Sequence, residues 1–298
     1  MKFKDFDKEQ RIYESQIADT PIMNDMYIIV RLDGKGFTKL TNEHFNKPFD
    51  SCFSSMMVST MNFLIQNSGF KIIYGYTQSD EISLVLSLKD DTFNRKPRKI
   101  LSILAGLASS YFSLEMTKQT TADKIICVFD ARISLRPTID SVAEYLLWRM
   151  TDASRNSLNT ACYWSLRNKG LSARKATSIL SHKPDEYESD YDYKINLLKE
   201  NNVDYNEIAN NFKYGAIFYS ILDDHEGYNP KTNEHVTTKK AVFRLIPANK
   251  SCIDLRYLRD MLVISEGSIN YKTMDETQHM AFSVIMKTLR IKELGYDI

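Results

Sequence analysis

The chain has 298 residues, which at about 150 residues per domain leaves room for two modules or for one core with a substantial appendage. Hydrophobic residues make up 43% and aromatics 11%, enough to build a sizeable core and to exclude a mostly disordered chain. Lysine and arginine total 39 against 38 acidic residues, a formal charge of +1 that, as a sum, points away from a nucleic-acid binder.

No uninterrupted apolar stretch approaches the ~20 residues of a membrane span. Residues 1–11 alternate charges and lack the apolar centre of a signal peptide. Cys52, Cys127, Cys162 and Cys252 are far apart and form no CxxC pair. These features predict a cytoplasmic chain with buried, reduced thiols and no membrane partner.

In chain order, residues 26–32 (MYIIVRL) form a short apolar run with β-branched side chains, the pattern of a strand buried on both faces. Asp33-Gly34-Lys35-Gly36 ends it. Residues 50–66 carry Phe53, Met56, Met57, Thr60, Met61 and Leu64 at helical spacing, with Gly69 at the C-terminal cap. Residues 70–88 read as a β-hairpin whose turn holds Gln78, Ser79, Asp80 and Glu81. A helix over 99–117 and a strand over 123–135 follow. The order is β-α-β-β-α-β across residues 24–136, the split-βαβ or ferredoxin-like plan.

A long helix is predicted from Pro137 to Gly170, then helical patterns over 172–181 and 191–212. Residues 215–222 and 240–246 read as strands separated by a polar, flexible loop over 223–239. The last fifty residues read as helical and mixed. The methionines and the pair Trp148 and Trp164 read as core filling. None of the five histidines has a partner at ligand spacing.

Nucleotidyl transfer needs divalent cations held by a few carboxylates, and Mg²⁺ takes only one or two of these beside water and phosphate oxygens. In this topology the end of the first strand and the turn of the central hairpin lie side by side if their strands pair. Asp33 and Asp80 would then converge on one edge, with Gly34 leaving its carbonyl open to a cation. Asp-Gly and Asp-Glu are also ordinary turn dipeptides. Polymerase palms, nucleotide cyclases and plain RNA-binding ferredoxin-like domains all share this plan.

Cations cluster in two places. Residues 95–99 (RKPRK) hold four in five, a solvated face or an anion clamp. Residues 153–183 hold Arg155, Arg167, Lys169, Arg174, Lys175 and Lys183 with no acid, a surface suited to RNA phosphates. The acidic stretch 184–192 that follows reads as a solvated loop.

Arg31-Leu32-Asp33-Gly34 with Phe37, Lys47-Pro48-Phe49-Asp50-Ser51, Tyr74 to Glu81 (YGYTQSDE) and Phe129-Asp130-Ala131-Arg132 together resemble, in order and spacing, the signatures of the tRNA-His guanylyltransferase superfamily. Tyr145 to Trp148, Asn156 to Asn159, Trp164 and Phe212-Lys213-Tyr214-Gly215 continue the resemblance, which covers about residues 5–222. It implies an α+β fold: a palm-like ferredoxin-type β-α-β-β-α-β core with helices on one face, plus a helical and small-strand C-terminal extension. The expected division is a catalytic core over 1–136, a helical tRNA-binding region with returning strands over 137–248, and a C-terminal extension over 249–298.

The resemblance implies a nucleotidyltransferase acting on tRNA 5′ ends, with two Mg²⁺ ions on Asp33, Gly34 and Asp80, and ATP and GTP or other nucleoside triphosphates as substrates. Asp33 and Asp80 would be catalytic. Lys35, Gly36, Phe37, Lys47, Ser79, Lys96, Lys99 and Arg132 match nucleotide or triphosphate positions. Arg155, Asn156, Arg167, Lys169, Arg174 and Lys175 would contact tRNA, and a homotetramer is implied.

Two departures refine this. Enzymes acting on tRNA-His carry His-Ile-Asn-Asn where this chain has Ser154-Arg155-Asn156-Ser157. That resembles the sister group of template-dependent 3′-to-5′ polymerases that repair truncated tRNA. The family's KPND is KPFD here, which removes a polar side chain at Phe49.

Overall fold

The computed structural model describes residues 20–119 and 125–273. The first apolar run forms β1 (Tyr27–Gly34), in which Ile28, Ile29, Val30 and Leu32 have essentially no exposed surface. Ile28, Val30 and Leu32 enter one hydrophobic cluster and Tyr27 and Ile29 another, so both faces of the strand are covered. That is why the run reads as continuously apolar rather than alternating. Each such side chain contributes about 1.5–3 kcal/mol of burial.

β2 (Ile72–Gln78) and β3 (Glu81–Leu86) form the hairpin, β4 (Phe129–Arg136) lies on the other side of β1, and β5 (Ala216–Asn229) and β6 (Glu234–Pro247) extend the sheet. The order is β4-β1-β3-β2-β5-β6, antiparallel at every pairing. The first four strands and their two crossover helices make the palm-like α+β core that the pattern implies, and β5 and β6 continue its sheet.

α1 (Phe37–His44), α2 (Ser51–Asn67) and α3 (Pro97–Gln119) supply the cluster on the first face. Asp50 caps α2 by accepting the Phe53 N–H, and Gly69 follows its end at a φ of 80°. α3 is long and apolar enough to cross a membrane. One stripe of it, Ile100, Leu104, Ala108, Phe112 and Met116, is sealed against the sheet.

α4 (Ile139–Asn168) and α8 (Leu255–Ile269) cover the second face with Val142, Leu146, Met150, Leu258 and Leu262. Thr138 and Ser141 start α4 with a reciprocal capping box. The C-terminal half of α4 packs through Leu158, Cys162 and Leu166 on α5 (Ala173–Ser181) and α6 (Asp190–Glu200).

Several boundaries differ from expectation. Residues 223–239 are not a polar loop: β5 and β6 run on as a paired ribbon to Asn229↔Glu234. Their backbone hydrogen bonds form without apolar alternation, because the ribbon leaves the core and its side chains are largely exposed. β4 begins at Phe129, and the helix predicted over 191–212 breaks after Glu200 and resumes as α7 (Asn210–Tyr214). Trp148 is 54% exposed and is not core. The acidic stretch ends inside a helix rather than a loop: Asp190 and Asp192 occupy the first turn of α6, where acid complements the helix dipole.

Candidate active site

Antiparallel register brings the two predicted carboxylates together. Asp33 pairs with Glu81 on β3 and with Asp130 on β4. The Gly34 N–H donates to the Asp80 carbonyl at 3.0 Å, and the Lys35 N–H donates to the Val128 carbonyl at 2.8 Å. The end of β1, the hairpin turn and the entry to β4 therefore form one rim. Gly34 has no room for a side chain, because a Cβ would lie 2.4 Å from the Phe37 ring.

Burial raises the Asp80 carboxyl from its ordinary value, and the charge of Asp33 adds to the shift. A turn backbone N–H and the Ser79 hydroxyl, 3.2 Å away, pull it back. Among the described residues no group of three or more His, Cys, Asp or Glu is arranged to hold a metal. The set here is two repelling carboxylates and the Gly34 carbonyl. Hard oxygen donors with excess negative charge fit Mg²⁺, which needs few protein ligands.

Asp80 also borders a cleft of ≈ 690 Å³ walled by α1, residues 46–54, the hairpin turn, α4 and α7. Lys47 lies in it, donating from Nζ to Thr41 Oγ1 at 2.7 Å. Burial lowers its ammonium, while Asp80 and then Asp50 raise it. The predicted residues Phe37, Lys47, Ser79, Asp80, Asn156 and Arg167 all line this cleft. The Phe37 ring is otherwise sunk among Phe53, Phe112 and Phe129. Lys35 and Gly36 are exposed at the N-terminus of α1, with Gly36 at a φ of 75°. Arg132 stands on β4 two residues from the register of Asp33 and meets Asp130 at 3.1 Å.

Lys96 and Lys99 do not join them. Arg95 is buried and donates to the carbonyls of Asp90 (2.8 Å), Ile22 (3.2 Å), Leu88 (3.4 Å) and Met26. It thereby anchors the 95–99 cluster at the opposite end of β1. The strand between Met26 and Asp33 spans roughly 20 Å at about 3.3 Å per residue, so this cluster sits at the other end of the strand from the rim of Asp33 and Asp80. Arg155 on α4 and Arg174 and Lys175 on α5 are exposed, and exposed Lys169 follows α4, with its Nζ donating to the Glu200 carbonyl at 3.1 Å.

Two contacts lie outside the sequence expectations: Arg149 holds Glu81, and Phe49 stacks on Phe212. Arg149 did leave a signal. It falls on the face of α4 that carries Leu146, Met150 and Ala153, and a charge on an apolar face requires a partner.

Comparison with known proteins is consistent along the chain. The family model described as tRNAHis guanylyltransferase matches residues 7–137, and the one described as Thg1 C terminal domain matches residues 140–255. The tRNA(His) guanylyltransferase of Debaryomyces hansenii is 32% identical over 209 residues, covering 68% of this chain and 76% of that one. The probable tRNA(His) guanylyltransferase of Drosophila melanogaster is 29% identical, covering 67% and 68%. Among solved structures, the enzyme of that name from Saccharomyces cerevisiae superposes with a TM-score of 0.60 at 25% identity, covering 69% of this chain and 90% of its own. A bacterial Thg1-like protein, solved in complex with ATP, shares the fold with a TM-score of 0.62 at 24% identity, covering 86% and 97%.

Proposed function

The chain belongs to the tRNAHis guanylyltransferase family, and from that premise we propose that it is a template-dependent 3′-to-5′ nucleotidyltransferase that rebuilds truncated tRNA 5′ ends. The observation that carries the reading is the rim where Asp33, Gly34 and Asp80 meet beside a cleft of ≈ 690 Å³. The Ser154 to Ser157 segment favours templated repair over addition of one guanosine to tRNA-His. A bacterial protein of the same fold has been solved with ATP and with GTP, which supports nucleoside triphosphates as substrates.

In this reading a 5′-monophosphate oxygen of the tRNA displaces pyrophosphate from ATP and takes up AMP. The 3′-hydroxyl of the incoming nucleotide then attacks that 5′ phosphorus and AMP leaves. Asp33, Asp80 and the Gly34 carbonyl would hold two Mg²⁺ ions, which when bound polarise the attacking hydroxyl and neutralise phosphate charge. Lys47, Arg132, the exposed Lys35 side chain and the main-chain N–H groups of Gly36 and Phe37 orient the phosphates. The cations of α4 and α5 take the tRNA backbone, and pairing with the opposite strand selects the base. We assign residues 1–136 to catalysis and 137–248 to tRNA binding, in a cytoplasmic homotetramer.

Extension assays on 5′-truncated tRNAs that differ in the templating base test the proposal. Incorporation should follow the complement of the template in every case. A single untemplated G, confined to tRNA-His, would return the chain to the guanylyltransferase group.

A further inference from the structure

Phe49 and Phe212 face each other inside the cleft with ring centroids 5.2 Å apart and planes 10° from parallel. The other phenylalanines near the site do not stack in parallel: Phe45 and Phe53, which also line the cleft half-buried, meet their neighbours edge-on. Phe37, Phe112 and Phe129 are sealed in the core and meet edge-on or tilted. Phe49 and Phe212 are only half-buried and line an open space whose walls also carry Lys47 and Arg167. Two flat apolar faces in a polar, cation-bearing cleft suit a ligand that is itself flat on one part and anionic on another.

The pair is also held at a fixed distance from the carboxylates. Gln78, two residues before Asp80, donates from Nε2 to the Phe212 carbonyl at 3.0 Å. Asn211 donates from Nδ2 to Ser54 Oγ at 3.1 Å, tying α7 to α2. On the other side, Asp50 follows Phe49 directly and caps α2 through the Phe53 N–H.

We propose that the Phe49 and Phe212 stack is a platform for a nucleobase, placed so that the sugar and phosphates of the same nucleotide run toward Lys47 and Asp80. The inference rests on the nucleotidyltransferase reading and specifies how the base is held. Every base has a π-face, so stacking is tolerant of which of the four it holds. A platform of this kind leaves the choice of base to the opposite strand.

The test is equilibrium titration of the full chain with 1,N⁶-etheno-ATP, whose emission is quenched by stacking, and separately with an RNA hairpin carrying 2-aminopurine at its 5′ end. Phe49→Leu and Phe212→Leu keep an apolar side chain and remove the ring. Each should weaken the base-stacked probe about tenfold or more and abolish its quenching, and Phe49→Tyr should restore both. An effect on etheno-ATP alone assigns the platform to the free nucleotide, and one on the hairpin alone to the terminal base of the RNA. Wild-type quenching and affinity that survive both leucine substitutions would overturn the platform and leave the nucleotidyltransferase reading intact. Wild-type protein that binds neither probe would overturn both.

Discussion

Arg149 on α4 grips Glu81, the first residue of β3, through two hydrogen bonds: Nε to Oε1 at 2.8 Å and Nη2 to Oε2 at 2.6 Å. Its Nη1 meets Asp152 at 3.3 Å, and its guanidinium lies over the Trp148 ring, 4.6 Å from the centroid. Glu81 is thereby spoken for: it fixes the hairpin turn against the second-face helix and holds Asp80 in place beside Asp33. Only 11% of the Arg149 side chain and 16% of that of Glu81 remain exposed.

Breaking this contact should disturb the turn more than the fold. Arg149→Met is expected to lower stability by about 1.5–3 kcal/mol, the usual worth of hydrogen bonds to a charged group, and to depress nucleotide addition strongly. Glu81→Gln combined with Arg149→Met should cost less than the sum of the two single changes by more than about 1 kcal/mol in a thermal or urea cycle. Strict additivity would show that the pair contributes nothing.

Asp80 should make the metal-free protein sensitive to pH in a direction opposite to an ordinary paired carboxylate. Its carboxyl titrates above the usual 3.8 in the folded chain, because of burial first and the Asp33 charge as well. The folded state therefore holds more protons than the unfolded one in that window, and this contribution to stability falls as pH rises through it. Asp80→Asn without divalent cation should raise the melting temperature at pH 7 and flatten its slope above pH 3.8. Mg²⁺ should stabilise the wild type but not this variant, and the variant should lose at least about a hundredfold in nucleotide addition, as removal of a charge-stabilising group does elsewhere.

Two glycines with similar positive φ should respond differently to alanine. Gly215 has a φ of 81°, and a Cβ there would lie 2.3 Å from the Thr77 carbonyl on β2. Gly170 has a φ of 87° and open space around it. Gly170→Ala should cost only the left-handed backbone strain of about 1–2 kcal/mol. Gly215→Ala should cost clearly more in the same melts and also slow catalysis, since Thr77 leads into the turn that carries Asp80.

The basic surface of α4 and α5 predicts a salt dependence. Arg174→Ala and Lys175→Ala should each weaken tRNA binding without regard to sequence. Each should lower the slope of log K against log salt by about one, read by filter binding between low and physiological salt. An unchanged slope in both would remove this face from the tRNA contact surface.

Near-neutral charge, 39 cations against 38 acids, concealed a segregated surface, and the segregation was readable because charge runs are local. The strand ending in Asp33 and the turn holding Asp80 were legible for the same reason. An apolar run, a glycine stop and a hairpin are each written in neighbouring residues, and antiparallel pairing leaves few places for their ends to go. The ribbon beyond Leu222 was hidden because its backbone pairs outside the core, where side chains carry no alternation to read.

What lies across from a buried face is a different kind of information. Periodicity told that one side of α4 was buried; only the tertiary structure decided that Arg149 on that side meets Glu81. It also decided that Arg95 turns inward and takes Lys96 and Lys99 to the far end of the sheet, and that Phe49 stacks on Phe212. The sequence by itself determined where the strand ending in Asp33 and the turn carrying Asp80 lie, because strand and turn chemistry is local. Their partners were decided by packing between elements distant in the chain, which depends on the shape and charge of both surfaces at once.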